Sequence, residues 1–414
     1  MVSAMSQDPL RVAARAQRME PFYVMELAKA ASALSALTPK QPPMVYLNIG
    51  EPDFTAPPMV QEAAARALRE GRTSYTPALG LMPLREKISQ WYLDRFGAQV
   101  PASRIVVTAG ASAALQLACL ALIEAGDEVL MPDPSYPCNR HFVGSAEGRA
   151  VLLPTTPEQR FQLSAEAVEA AWGPRTRGVL LASPSNPTGT SIAPDELRRL
   201  HTLVYEHGGV TLIDEIYLAL SHEAEFGQTA LALPDELQHS LVSINSFSKY
   251  FSMTGWRLGW LVLPPALVPV VEKLAQHLYI CPSTVAQHAA LACFEPDSLA
   301  EYEKRRAEFK ARRDYFIPEL QRLGFEMPVV PDGAFYAYAD ASKAIAQLGL
   351  HPGRADGTGG SWDLAFELMQ RARVVLTPGR DFGQAQPQRY LRFSTASAMA
   401  QLQEAIARLE AVLD

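Results

Sequence analysis

The sequence predicts an α/β protein: a large domain with a mostly parallel seven-stranded sheet covered by helices, beside a smaller α+β domain. Three observations lead to it. Seven short apolar runs follow one another from residue 104 onward, amphipathic stretches separate several of them, and the pattern changes character after about residue 299.

The strands are expected at Arg104 to Thr108, Glu128 to Met131, Ala150 to Leu153, Gly178 to Ser183, Val210 to Asp214, Leu241 to Asn245 and Leu258 to Leu263. Most are nearly continuous in Val, Leu and Ile, the composition of strands covered on both faces. The helices between them carry their own punctuation. After RIVVT, the small residues Gly110, Ala111 and Ser112 lead into an apolar run from Ala113 to Ala125, stopped by Gly126. After Thr190, Pro194-Asp195-Glu196 starts a helix with proline and acids in its first turn. Alternation of this kind reads as a parallel sheet with crossover helices.

Beyond residue 299 a long charged helix is expected from roughly Leu299 to Leu323, a connector between domains. The strand-like segments GAFYAYAD and YLRFSTAS then alternate with helix patterns near Trp362 to Ala372 and Gln401 to Leu413. The run from His351 to Ser361, rich in glycine and polar residues, reads as a flexible surface loop.

Length and composition bound the function. A chain of 414 residues exceeds one small core, so two domains are expected. Hydrophobic residues at 48% and charged residues at 20% are ordinary for a globular protein, and a net charge of -7 argues against a nucleic-acid partner. Cys119, Cys138, Cys281 and Cys293 are scattered, without C-x-x-C spacing, and the eight histidines are dispersed. Neither a disulfide framework nor a metal site is expected. Arg11, Arg15 and Arg18 could mimic a transit peptide, but Asp8 and Glu20 interrupt them and no apolar segment has the length of a membrane span. A cytoplasmic protein is the expectation.

The segment SINSFSKYFSMTGWRLGW holds the most chemistry. Lys249 follows an apolar strand among Phe247, Tyr250, Phe251, Trp256 and Trp260, with Ser246, Ser248 and Arg257 nearby. A lone lysine near a strand end is most often a solvated charge. In this apolar company its amine is expected to be desolvated, which lowers its pKa and makes it a nucleophile. The serines and Arg257 are natural donors to a phosphate. A lysine nucleophile beside phosphate donors is the chemistry of a pyridoxal-phosphate Schiff base. VTAGASAAL runs from strand to helix N-terminus, a place where unpaired N–H groups attract anions, although many such turns only pack. VTLIDEIY leaves Asp214 at the end of an apolar strand, costly unless paired, or else a helix cap. ASPSNPTGT is a proline-bounded turn around Asn186, MPDPSYPCN carries Tyr136, and YLRFSTAS carries Arg392 in an alternating strand.

These segments, in their order along the chain, resemble the class I/II pyridoxal-phosphate-dependent aminotransferases of the aspartate aminotransferase fold group (fold type I), over nearly the whole chain. The resemblance implies that Lys249 holds pyridoxal 5'-phosphate and acts as the base. Gly110, Ala111 and Ser112 form the phosphate cup, which Ser246 and Arg257 close. Asp214 partners the pyridine nitrogen, Tyr217 and Asn186 reach the ring oxygen, and Tyr136 stacks on the ring. Arg392 clamps the substrate α-carboxylate, with Gly50 approaching it through its backbone. Tyr75 reaches the phosphate of a neighbouring subunit, which implies a homodimer. The implied organisation is an N-terminal segment, 1–48, joining the small domain; a large cofactor-binding domain, 49–298; and a small C-terminal domain, 299–414.

The implied reaction moves an amino group between a small amino acid and a 2-oxo acid by a ping-pong route. Phe22, Tyr23 and Val24 resemble the segment that lines the side-chain pocket, so a neutral or apolar donor is expected. Elimination enzymes such as carbon–sulfur lyases share these cofactor contacts, and aspartate-type transaminases share the scaffold, so both alternatives stay open. A transcription regulator built on the same fold is disfavoured, because the segment before the fold is too short for a DNA-binding domain.

Overall fold

The computed structural model describes residues 11–413; the opening ten residues of the expected N-terminal segment lie outside them. All seven expected strands form one sheet. They are β1 (Ile105–Thr108), β2 (Glu128–Asp133), β3 (Arg149–Pro154), β4 (Thr176–Ala182), β5 (Val210–Asp214), β6 (Leu241–Ser246) and β7 (Gly259–Val262). Their spatial order is β1-β7-β6-β5-β4-β2-β3. Only β7 runs antiparallel to its neighbours, so β1 to β6 all point the same way.

Side chains of successive strand residues face opposite sides, and both sides are buried. Val106, Met131, Leu180, Leu212 and Ile244 pack in the apolar layer under helices Ala111–Leu122 and Val268–Leu278. Val107, Leu130, Leu181, Ile213 and Trp260 face the other layer, beneath helices Met82–Phe96 and Pro194–Glu206. Double coverage explains the unbroken apolar runs. The first crossover helix begins at Ala111, two residues before the expected start, and ends at Leu122, because Ile123 is already extended (φ -115°, ψ 130°).

A second, antiparallel sheet of β8 (Tyr336–Asp340), β9 (Thr377–Pro378) and β10 (Tyr390–Ser394) has the order β9-β10-β8. Its core includes Phe316, Leu320, Phe325, Leu364, Phe393 and Leu409. The connector helix spans Pro296–Arg322, three residues earlier at its start than expected because Pro296 occupies the first turn. Its Tyr302 and Phe309 belong to the large core, and its Phe316 and Leu320 to the small one. Near the other terminus, Val45–Tyr46 pairs in parallel with Val374–Val375, and helix Tyr23–Leu37 packs Leu27 and Ala31 beside Met369. Residues 351–360 carry no regular element. No helix among the described residues is long and apolar enough to cross a membrane.

Candidate active site

Because β1 to β6 share one direction, the loops at their carboxyl ends gather on one edge of the sheet, where open α/β sheets take ligands. They enclose a cavity of about 260 Å³. Its first corner lies where β1 and β6 end and β7 begins. Gly110 precedes the helix with φ +84°, and Thr108 Oγ1 donates to the Gly110 carbonyl at 2.9 Å. A Cβ on Gly110 would lie 2.7 Å from Arg257 Nη2, so glycine lets the guanidinium close over the helix end. Arg257 sits in the left-handed region (φ 52°), and its Nη1 donates to the Thr254 carbonyl at 2.8 Å. Ser246 Oγ accepts from the Ser248 N–H at 3.0 Å. Serine hydroxyls, a guanidinium and the unpaired N–H groups of a helix start surround one small space, the donor set that suits a phosphate.

The middle of the cavity holds opposed charges in a poor solvent environment. The Lys249 amine donates to the Gly50 carbonyl at 2.6 Å. Burial lowers its pKa to about 8, with Glu51 acting the other way. Asp214, at the end of β5, is pushed up to about 7 by burial, against the opposing N–H bond from Ile216 (3.0 Å) and the nearby Lys249. The hydroxyls of Tyr217 and Tyr336 are 2.7 Å apart.

Arg392 comes from β10 of the small sheet and is buried. Its Nη1 donates to Asn186 Oδ1 at 2.7 Å, Nη2 donates to the Asn48 carbonyl, and Nε has no partner. The guanidinium lies 4.5 Å from the Tyr336 ring centroid and 4.9 Å from that of Phe382. Tyr136, after β2, meets Phe22 edge-on with centroids 6.2 Å apart.

The cavity wall brings together Gly50, Ala111, Ser112, Tyr136, Asn186, Asp214, Tyr217, Ser246, Lys249, Arg257 and Arg392. Gly110 backs the wall without forming it. Tyr75 does not join; it is 79% exposed on the surface of this chain. Phe22 and Val24 line the cavity, whereas Tyr23 turns away to meet the Trp362 ring at 5.6 Å. Sequence reasoning missed Tyr336, Met25 and Ile49 in the wall, and Asn48 behind Arg392. The alternation in GAFYAYAD could have pointed to Tyr336, because β8 pairs with the strand of Arg392, setting Tyr336 opposite Ser394.

Fold and site define an α/β enzyme in which a desolvated lysine, a buried carboxylate and a buried arginine share a cavity with the N-terminal end of a helix. Residues 42–409 match the family model described as aminotransferase class I and II. The valine–pyruvate aminotransferase of Mycobacterium tuberculosis is 36% identical over 96% of this chain and 97% of its own length. A crystal structure of an aminotransferase from the same organism superposes with a TM-score of 0.88 at 35% identity, covering 97% of this chain and 99% of that one. Aspartate aminotransferase from Thermus thermophilus with maleate gives 0.87 at 31% identity, with 97% and 99% covered. The chain belongs to the class I and II aminotransferases, and its activity is that of a transaminase.

Proposed function

We propose that the chain is a pyridoxal-5'-phosphate-dependent transaminase that takes its amino group from a neutral or apolar amino acid and passes it to a 2-oxo acid. The observation that carries this is the Lys249 amine, lowered to about 8, opening on one cavity with Asp214, Arg392 and the anion corner. Those residues suit the cofactor: Ala111, Ser112, Ser246 and Arg257 would hold its phosphate, Asp214 its pyridine nitrogen, Asn186 and Tyr217 its ring oxygen, and Tyr136 its ring face. When bound, the cofactor supplies an aldehyde carbon that an amine can join and a ring that accepts electrons from the substrate Cα.

The chain's own residues do the positioning and the proton transfer. Arg392, pinned at Nη1 and Nη2, keeps an orienting charge for the α-carboxylate. A neutral amine is a base, so the Lys249 Nζ can accept the proton released at the substrate Cα. Asn186 Oδ1 is engaged by Arg392, which leaves its amide N–H groups as donors. The cations of the cavity wall are Lys249, Arg257 and Arg392, each with an assigned task, while Phe22, Val24, Met25 and Ile49 form an apolar side. That distribution favours a neutral side chain, and a relative named for valine and pyruvate agrees with it.

The proposal includes a large domain over 49–298, a small domain over 299–414, and an N-terminal segment joining the small one. The pairing of Val45–Tyr46 with Val374–Val375 supports it. It also includes a cytoplasmic homodimer in which the exposed Tyr75 reaches the partner's phosphate site. A screen of amino donors against pyruvate and 2-oxoglutarate tests the substrate class; faster turnover of aspartate than of every neutral donor would overturn it. Ammonia or thiol released without any 2-oxo acceptor would point to elimination instead.

A further inference from the structure

Helix Tyr23–Leu37 starts without a local cap: the residue before it is Phe22, which has no polar side chain. The first N–H groups of a helix need acceptors. Here they are met from the far end of the sequence. Asp381, fully buried after β9, accepts from the N–H groups of Tyr23 at 3.0 Å and Val24 at 3.4 Å. Its neighbour Arg380 lies 4.5 Å from the Tyr23 ring centroid and 4.6 Å from that of Trp362, and donates to the Tyr23 hydroxyl at 3.2 Å. From the other side, Asn48 Nδ2 donates to the Val24 carbonyl at 3.1 Å. None of these three side chains lines the cavity, yet the segment they grip presents Phe22, Val24 and Met25 to it.

We propose that Asp381, together with Arg380, is a specificity-determining positioning residue: it caps the helix at Tyr23 and so holds the Phe22–Met25 wall against the side chain of the amino donor. The inference rests on the transaminase reading for its substrate but concerns residues that touch neither substrate nor cofactor. A donor with a large apolar side chain reaches this wall. Alanine, with one methyl group, does not depend on it. A carboxylate at a helix N-terminus acts both as hydrogen-bond acceptor and as charge against the helix dipole, so its removal is felt at the first turn.

The test compares wild type with Asp381→Ala, Asp381→Asn and Arg380→Ala. Asp381→Asn and Arg380→Ala keep the comparison alive if the alanine variant at 381 folds poorly. The first readout is kcat/KM for leucine relative to alanine. We expect this ratio to fall about tenfold in Asp381→Ala, through KM for leucine, with kcat for alanine nearly unchanged. The second readout needs no turnover: tryptic cleavage after Lys29, within the helix, is expected to rise severalfold while the main melting transition stays in place. An unchanged leucine-to-alanine ratio, or a uniform loss of kcat for both donors, overturns the proposal, as does unchanged cleavage after Lys29. A wild-type chain inert toward every donor would overturn the transaminase reading instead, and the cleavage result would then decide the clamp by itself.

Discussion

Arg392 Nη1 and Asn186 Oδ1 stand 2.7 Å apart, a hydrogen bond between the small sheet and the turn after β4. The guanidinium is thereby held in one plane by Asn186 on one side and the Asn48 carbonyl on the other. Planarity and a forked donor set are what lysine cannot reproduce. Arg392→Lys is expected to raise KM for the amino donor by about two orders of magnitude, measured in steady state across donors. Asn186→Ala frees Nη1 and is expected to cost about tenfold in kcat/KM. Equal KM values in wild type and Arg392→Lys would remove the carboxylate role.

In the proposed function, cofactor attachment depends on Lys249. Borohydride reduction followed by peptide mapping is expected to mark Lys249 alone, and Lys249→Ala to lose turnover. The attacking form is the neutral amine, and its pKa is lowered to about 8. The rate of reconstitution with pyridoxal phosphate is therefore expected to climb as pH rises through about 8 and then level off. A rate independent of pH between 7 and 9, on the order of a single titration's span, would contradict a free amine in this state.

Asp214 sets function against stability. Its carboxyl ionises at about 7 in the folded chain, raised from an ordinary 3.8. Since the folded form holds this proton to higher pH than the unfolded form, the sign is opposite to that of a salt-bridged acid. Stability linked to Asp214 is complete below pH 3.8 and is lost as pH rises to about 7, with no further loss above. Asp214→Asn is therefore expected to raise the melting temperature of the cofactor-free chain at alkaline pH, by an amount worth a few kcal/mol, about what such a shift implies. The same substitution is expected to lower turnover by about two orders of magnitude or more, because the amide cannot hold a proton at the pyridine nitrogen. A cofactor-free Asp214→Asn chain less stable than wild type at alkaline pH would show that burial is not what raises this group.

Gly110 and Gly50 are steric requirements of the two ends of the cavity. Gly110→Ala adds a Cβ 2.7 Å from Arg257 Nη2 in a backbone already at φ +84°, so the guanidinium must move and the loop is strained. A loss of pyridoxal-phosphate affinity of about tenfold or more is expected, read by equilibrium titration. Gly50→Ala drives its Cβ into the Tyr336 hydroxyl, which is paired with Tyr217. The expected outcome is reduced turnover with near-normal phosphate binding, because the anion corner lies elsewhere. Equal losses in both variants would mean that the two ends are not separable.

Much of this was legible in the residues by themselves. Local apolar patterning located all seven strands of the large sheet, since a strand buried on both faces needs an unbroken apolar run. The same local logic singled out Asp214, an acid ending a buried strand, and Lys249, although the rings near the Lys249 amine are Tyr217 at 5.7 Å and Phe335 at 5.9 Å rather than its sequence neighbours, which pack into the large core. What patterning cannot reach is the meeting of residues far apart in the chain. Tyr336 against Tyr217, Asn48 behind Arg392, and Asp381 on the N–H groups of Tyr23 are each separated by more than one hundred positions. Alternation could point to Tyr336 itself, but no local signal names its partner or the others', because each is a polar group satisfied by a partner that only packing supplies. The apolar period and the turn chemistry wrote the sheet and its loop-bearing edge into the sequence; the approach of Arg392 and Tyr336 from the second sheet to the loops of the first decided which groups share a cavity, which lose water, and therefore how strongly their charges are perturbed.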